Sequence, residues 1–111
     1  MYFEARVDEI DGWQVVAVVG EIDLASLPRY RSAVVSAASA AARAGRPLAV
    51  DLTHCEFLDS LGLGATLGGF RSARAAGNRF AVICPDERVR AMFERCRLDE
   101  ILDLYSSLPD A

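Results

Sequence analysis

Three short apolar segments, separated by stretches with the spacing of helices, constrain the fold of this chain more than any other feature. The segments are Trp13 to Val19, Leu48 to Leu52 and Phe80 to Cys84, and each has the length of a buried strand. Strands that alternate with helices favour right-handed crossovers, which place the strands parallel in one sheet. The sequence therefore predicts an α/β fold with a largely parallel sheet.

The two ends of the chain predict further strands. Residues Tyr2 to Val7 alternate weakly between apolar and polar, and Asp11-Gly12 is typical of a tight turn that leads into an antiparallel strand. Ile101 to Tyr105 suits a short last strand, and we expect the tail after Ser106 to be loose. We therefore expect a mixed sheet of about four to five strands, packed with about three to four helices.

Helices are predicted between the strands. The first begins at Ser26, a candidate helix cap, and ends at Gly45. A loop over Thr53 to Asp59 precedes the second helix, which runs from about Ser60 to Ala76, and Pro85-Asp86 opens the third. The apolar residues at helical spacing are Leu27, Tyr30, Val34, Ala38 and Ala41 in the first helix, and Val89, Met92, Phe93 and Cys96 in the third.

Length and composition favour a single domain over residues 1–111. In a chain of 111 residues, two separately cored domains would each approach the lower size limit for independent folding. Hydrophobic residues make up 52% of the chain and charged residues 25%, which are proportions of a globular protein. The longest apolar runs fall far short of the roughly 20 residues of a membrane span, and the N-terminus does not resemble a signal peptide. We therefore expect a cytoplasmic protein with no membrane partner.

Charge and cysteine content restrict the chemistry further. The net charge is −4, lysine is absent and the arginines are scattered, so nucleic acid is a poor partner on electrostatic grounds. Cys55, Cys84 and Cys96 form no C-x-x-C pair, which favours reduced thiols that fill the core over a disulfide or a zinc site. His54, Cys55 and Asp59 make a weak metal-ligand pattern, and a structural histidine is the better interpretation. We expect no bound metal.

The segment from Phe57 to Gly64 is the most unusual local feature, because an aspartate and a serine at the start of a helix are followed by glycines inside it. Each glycine costs about 0.5–1 kcal/mol relative to alanine in a helix interior, which suggests close approach by another group. For Gly68 and Gly69, packing against the sheet and the approach of a partner are equally good explanations of the glycine. For Gly62 and Gly64, beside an exposed serine, we expect an approaching partner.

Three roles are open to Ser60: a plain cap or first-turn residue, a hydrolytic nucleophile, or a phosphoacceptor. Catalysis is disfavoured because the only histidine, His54, lies in the preceding loop and the G-x-S-x-G elbow is absent. Phosphorylation suits the position, since the first N–H groups and the dipole of a helix tolerate an added charge of about −1.5 to −2. The glycines match neither G-x-G-x-x-G nor G-K-[ST], so no cofactor is expected.

Four segments, Val18 to Ala25, Leu48 to Leu52, Phe57 to Gly64 and Phe80 to Pro85, share their order and spacing with a known family. They resemble the STAS family, specifically its small stand-alone anti-sigma-factor antagonists of the bacterial partner-switching type. The third segment resembles the phosphorylation loop of the family and is the most specific of the four. The resemblance extends through nearly the whole chain and implies one STAS domain.

This resemblance implies a binding protein, not an enzyme, that is controlled by phosphorylation. In such systems an anti-sigma factor with serine kinase activity phosphorylates the motif serine, here Ser60, and a serine phosphatase resets the switch. The unmodified antagonist binds the anti-sigma factor, which releases its sigma factor. The implied partner-binding residues are Asp23, which we expect to be exposed, Asp59, Ser60, Leu61, Gly62 and Gly64.

Leu61 departs from the family pattern, because many relatives carry a second serine or threonine at this position. The change removes an alternative acceptor and leaves Ser60 intact. A hypothesis of a different class is a STAS-like scaffold or sensor subunit, which binds protein partners or a small ligand without being phosphorylated. The sequence leaves the oligomeric state open.

Overall fold

The computed structural model describes residues 2–111 and arranges them as a five-stranded sheet with three α-helices packed on one of its faces. The elements are β1 (Phe3–Ile10), β2 (Trp13–Ile22), α1 (Leu27–Ala44), β3 (Leu48–Leu58), α2 (Ser60–Ala75), β4 (Phe80–Ile83), α3 (Glu87–Arg95), a 3₁₀ turn (Leu98–Glu100) and β5 (Asp103–Tyr105). The predicted α/β fold is confirmed.

The strands lie in the order β1-β2-β3-β4-β5, and β1 is antiparallel to β2 while each later pair is parallel. The predicted hairpin is confirmed, with Ile10 opposite Trp13 and a two-residue turn between them. Asp11 and Gly12 in that turn have φ angles of 51° and 86°. Positive φ at both positions is typical of a type I′ turn, whose twist matches that of the flanking strands.

The loop predicted over residues 53–59 is wrong, because β3 continues to Leu58. The pairing of β3 with β2 contains two register shifts, each of which adds one residue to β3. The buried side chains Leu52, Cys55 and Leu58 are therefore three residues apart, where a regular strand would space them by two. Because the buried side chains recur every three residues, this part of β3 does not show the alternation of apolar and polar residues by which a strand is recognised in a sequence.

The main core lies between the sheet and the helices. From α1 it receives Leu27, Tyr30, Val34, Ala37 and Ala41, so the predicted face is confirmed except that Ala37 is buried and Ala38 only partly so. From α3 it receives Val89 and Phe93. Gly45 ends α1 with a left-handed φ of 65°, as the sequence predicts.

The C-terminal tail covers the opposite face of the sheet, which corrects the expectation of a loose tail. Trp13 is fully buried there among Val15, Ala49, Ala81 and Ile83, and Leu108 packs against this group. The Trp13 indole N–H donates a hydrogen bond to the Pro109 carbonyl oxygen at 2.8 Å. The Arg79 guanidinium lies 5.0 Å from the centre of the Trp13 ring and donates a hydrogen bond to the Asp110 carbonyl oxygen. The tail is therefore part of the packed structure.

The cysteines and the histidine differ in part from expectation. Cys55 and Cys84 are buried as predicted, and burial raises the pKa of both thiols, that of Cys55 to about 11. Cys96 is exposed just after the end of α3, so its prediction as a core residue is wrong. His54 is exposed on β3 and does not belong to the packed core, so the interpretation as a structural histidine is wrong.

Residues 2–111 contain neither a helix suited to span a membrane nor a cluster of metal-ligand side chains. None of their helices combines the length and the apolar character needed to pass through a bilayer. Within the same residues, no three His, Cys, Asp or Glu side chains are grouped as the ligands of a metal ion would be.

Candidate functional site

The candidate site lies where β2 and β3 end side by side. Ile22 pairs with Leu58, and the Asp59 N–H donates to the Ile22 carbonyl oxygen at 3.3 Å. This contact joins the last residue of β2 to Asp59, the residue immediately before α2. The sheet thus brings together Asp23 and Ser60, which are far apart in sequence.

Ser60 is the first residue of α2 and is exposed. The helix cap is its neighbour Asp59, whose Oδ1 accepts a hydrogen bond from the Gly62 N–H at 2.9 Å. Since Asp59 performs the capping, Ser60 is not the cap but a first-turn residue, which is the other form of the same hypothesis, and its side chain is exposed. The N–H groups of Ser60 and Leu61 belong to the first turn, where no intrahelical acceptor exists. A phosphoryl group on Ser60 would find these donors and the positive end of the helix dipole beside it.

Asp23 is half-buried and closes its own loop, which corrects the expectation of a simply exposed residue. Its Oδ1 accepts from the Ser26 N–H at 3.1 Å, and its N–H donates to Ser26 Oγ at 3.0 Å. The backbone bond from Ser26 is the main reason that the pKa of Asp23 lies below its usual value. Asp23 therefore sets the shape of the loop between β2 and α1.

Ser26 occupies the N-cap position of α1, but its side chain makes no capping bond. Its hydroxyl instead donates to the Glu21 carbonyl oxygen at 2.8 Å, which holds the loop against the end of β2. The predicted N-cap position of Ser26 is therefore confirmed, but its side chain bonds to the preceding loop and does not cap the helix.

A buried chain of hydrogen bonds fixes the first turn of α2 against α1. Thr66 Oγ1 donates to the Gly62 carbonyl oxygen at 2.9 Å, and the Tyr30 hydroxyl lies 2.6 Å from the same Thr66 Oγ1. Tyr30 and Thr66 are both fully buried. The backbone that carries Ser60 is thus held in one position by polar contacts from within the core.

Three large apolar side chains are exposed at this end of the molecule. Leu24 in the loop after β2 is 73% exposed, Phe57 near the end of β3 is 47% exposed, and Leu61 in the first turn of α2 is 45% exposed. Sequence reasoning included Leu61 but missed Leu24 and Phe57 as site residues. Both residues lie within segments that carry the family resemblance, 18–25 and 57–64, and this is the sequence signal that could have identified them as site residues. A group of exposed apolar side chains is typical of a protein-binding surface.

The glycines of α2 have different reasons for being glycine. A Cβ on Gly62 would meet Leu58 Cδ1 and lie 2.9 Å from Ile22 Cγ2, so internal packing requires this glycine. That corrects the expectation that an approaching partner explains it. A Cβ on Gly69 would lie 3.2 Å from Phe80 Cε1 in β4 and 2.9 Å from Val34 Cγ1 in α1, which confirms packing against the sheet at that position and adds a contact with α1. At Gly64 and Gly68 a Cβ would meet nothing within 4 Å, so both positions are open.

Gly62→Ala is therefore expected to lower the free energy of unfolding by about 1–2 kcal/mol, because an added methyl overpacks the contact with Leu58. Gly64→Ala is the matched control in the same helix. It is expected to raise the free energy of unfolding by about 0.5–1 kcal/mol, since alanine has the higher helix propensity and meets no neighbour. Urea denaturation followed by circular dichroism measures both. A shift of the same sign for the two variants would refute the packing difference.

Comparison with known proteins decides the family. Residues 4–111 match the family model described as the STAS domain. The chain belongs to the STAS domain family. An anti-sigma-B factor antagonist of Listeria monocytogenes is 30% identical to this STAS domain over 101 residues, which are 91% of this chain and 82% of that protein. The resemblance to anti-sigma-factor antagonists is therefore confirmed.

Solved structures agree with this assignment. The crystal structure of an anti-sigma factor antagonist from Mycobacterium paratuberculosis is similar to the STAS domain with a TM-score of 0.82 and 29% identity, over 96% of this chain and 88% of that one. The Bacillus cell fate determinant SpoIIAA in its phosphorylated form has a TM-score of 0.63 at 22% identity, over 93% of this chain and 90% of that one. The second likeness concerns the fold alone.

Proposed function

We propose that this STAS domain is an anti-sigma-factor antagonist that binds an anti-sigma factor with serine kinase activity while Ser60 is unmodified. Binding releases a sigma factor, phosphorylation of Ser60 ends the binding, and a serine phosphatase restores it. Such a switch operates in the cytoplasm, where ATP is available. The observation that carries the proposal is the exposed Ser60 hydroxyl in the first turn of a helix that another residue, Asp59, already caps.

The proposed contact surface consists of the exposed apolar side chains Leu24, Phe57 and Leu61 around Ser60. Fully burying an exposed leucine or phenylalanine side chain contributes about 1.5–3 kcal/mol. Because these three are already partly buried, covering what remains exposed contributes about 2.5–5 kcal/mol in total, against about 8 kcal/mol for a micromolar contact. Gly64 lies one helical turn beyond Ser60 with open space beside it, which permits close approach of the partner backbone. Asp23 contributes by holding the turn on which Leu24 stands.

Charge explains why phosphorylation would end the binding. Asp23 and Asp59 carry negative charge on the Ser60 side of this surface, while Arg88 and Arg95 line the groove beside Phe57. A phosphoryl group adds about −1.5 to −2 charge, and an interface that buries it unpaired or against a carboxylate loses about 3–4 kcal/mol. Because each 1.4 kcal/mol is tenfold in affinity, the expected loss is several hundred-fold. The fold tolerates the same charge, since it lies at the positive end of α2.

The function is tested by adding the protein to a preformed complex of a candidate anti-sigma kinase and its sigma factor, then separating the species by gel filtration. We expect free sigma factor and a new complex between the anti-sigma kinase and the STAS domain. Leu24→Ser is expected to reduce this release at least about tenfold, because it removes an exposed apolar contact. Ile101→Ser is the matched control, as Ile101 is similarly exposed but lies beside β5. Equal effects of the two substitutions would contradict the proposed surface.

A further inference from the structure

The long outer edge of the sheet suggests a second interaction surface, away from Ser60. β1 is an edge strand of eight residues, and its pairing with β2 shows no register shift. It contains no proline. Bulges, prolines and charged side chains are common means by which proteins protect an edge strand from pairing with another chain, and of these three β1 has only the charged side chains. β5, at the other edge, has only three residues.

The backbone groups that face outward from β1 are identified by its pairing with β2. The Glu21 N–H donates to the Tyr2 carbonyl oxygen at 2.9 Å, so the backbone of Tyr2 faces β2. Because the direction alternates along a strand, the even-numbered residues of β1 also face β2. The N–H and C=O groups of Phe3, Ala5 and Val7 therefore point away from the sheet, where another strand would bond to them.

A groove runs along this edge between β1 and α1. Its volume is about 510 Å³, and Phe3, Ala5 and Val7 line it from β1 while Arg29 and Ala33 line it from α1. The Arg29 guanidinium stands 5.0 Å from the centre of the Phe3 ring. An added strand would thus gain backbone hydrogen bonds from β1. Beneath its side chains it would meet the apolar residues of β1 together with Arg29, Ser32 and Ser36 of α1.

The charges on β1 are arranged so that the strand complements itself. Glu4, Arg6 and Asp8 alternate in sign and lie on the face of the sheet away from the helices. Suppose that two copies of β1 pair antiparallel, with Ala5 opposite Ala5 of the second copy. Glu4 of each copy then lies opposite Arg6 of the other copy, so a pair of opposite charges lies on each side of the two-fold axis through Ala5. Phe3 then faces Val7 of the second copy above the groove. A shift by two residues would instead place Arg6 opposite itself and Glu4 opposite Asp8, which like charges disfavour.

We propose that this edge joins two copies of the chain, with β1 pairing antiparallel to β1 of the second copy about Ala5. The two sheets then form one continuous sheet with the helices of both copies on the same face. Each hydrogen-bonded pair of residues exchanges two bonds, so the pairs of Phe3, Ala5 and Val7 supply about six. β2 separates this edge from β3, which leads into Ser60.

Sedimentation velocity over a wide concentration series tests the proposal. We expect the mass to rise from 12.0 kDa toward twice that value as concentration increases. Arg6→Glu is expected to weaken dimerisation at least about tenfold, because it places like charges opposite each other twice in the symmetric pair. Glu4→Arg combined with Arg6→Glu exchanges the two charges and is expected to restore the dimer. Arg71→Glu, an exposed charge on α2, is the control and should leave dimerisation unchanged.

A second variant tests the backbone part of the proposal. Ala5→Pro removes an outward N–H without removing a bond to β2, and edge strands accept proline. Circular dichroism establishes that the variant is folded, and its dimerisation should be lost. A wild-type protein that stays monomeric up to its solubility limit would overturn the proposal. A dimer that neither Arg6→Glu nor Ala5→Pro weakens would also overturn the proposal, because another surface would then hold the two copies together. The proposal would equally be wrong if β1 bound a peptide of another protein while the chain itself remained monomeric.

Discussion

Ser60→Asp is expected to weaken binding to the anti-sigma partner by roughly 100-fold, or about 2.7 kcal/mol, while leaving the fold intact. The carboxylate introduces a permanent negative charge at the centre of the proposed contact, between Leu24 and Leu61. The fold is spared because Ser60 is exposed and Asp59 continues to cap α2 through the Gly62 N–H. Isothermal titration calorimetry measures the affinity, and thermal unfolding checks the fold.

Ser60→Ala is the matched control, because it removes the hydroxyl without adding charge. It is expected to bind the anti-sigma partner as tightly as the wild type and to remain bound in the presence of ATP. If the aspartate variant bound with wild-type affinity, the electrostatic explanation of the switch would be wrong. If it unfolded, Ser60 would have a structural role that its exposed position does not suggest.

Trp13→Ala is expected to reduce the free energy of unfolding by about 3–5 kcal/mol, which is the usual cost of removing a fully buried tryptophan. Trp13 connects the C-terminal tail to the face of the sheet opposite the helices, since its ring packs beside Ile83 and its indole N–H donates a hydrogen bond to the Pro109 carbonyl oxygen. The tail should detach in the variant. Urea denaturation gives the change in stability, and limited proteolysis detects the exposed tail.

Trp13→Phe separates the two parts of that effect. Phenylalanine keeps much of the ring contact and loses the hydrogen bond, which contributes about 0.5–1.5 kcal/mol, together with part of the packing. We therefore expect a smaller loss than for alanine and a tail that stays attached. A loss below about 1 kcal/mol for Trp13→Ala would contradict the packed tail, because a loose tail would leave the tryptophan partly exposed.

The parts of the fold that the sequence predicts are those with regular patterns. The hairpin at Asp11-Gly12 and the end of α1 at Gly45 follow from local backbone preferences, and the structure confirms both. The second half of β3 escapes prediction because its two bulges replace alternation by a spacing of three. The tail escapes prediction because its order depends on a contact with Trp13, which is distant in sequence.

The candidate site was predictable to a similar extent. The motif identifies Asp59 and Ser60, and the structure places them at the start of α2. The reason for Gly62 was not predictable, because its neighbour Ile22 comes from another strand. Leu24 and Phe57 were missed because the sequence of a short segment does not distinguish an exposed apolar residue from a buried one.

The most direct test of the central claim is phosphorylation of the intact protein. The wild type and Ser60→Ala are incubated separately with each candidate anti-sigma kinase and ATP, and intact-mass measurement is followed by peptide mapping. We predict the gain of one phosphoryl group on the wild type, mapped to Ser60, and no gain on Ser60→Ala. Phosphorylation of both proteins at another residue, or a stable complex with a kinase that is active on its own substrate yet leaves Ser60 unmodified, would contradict it.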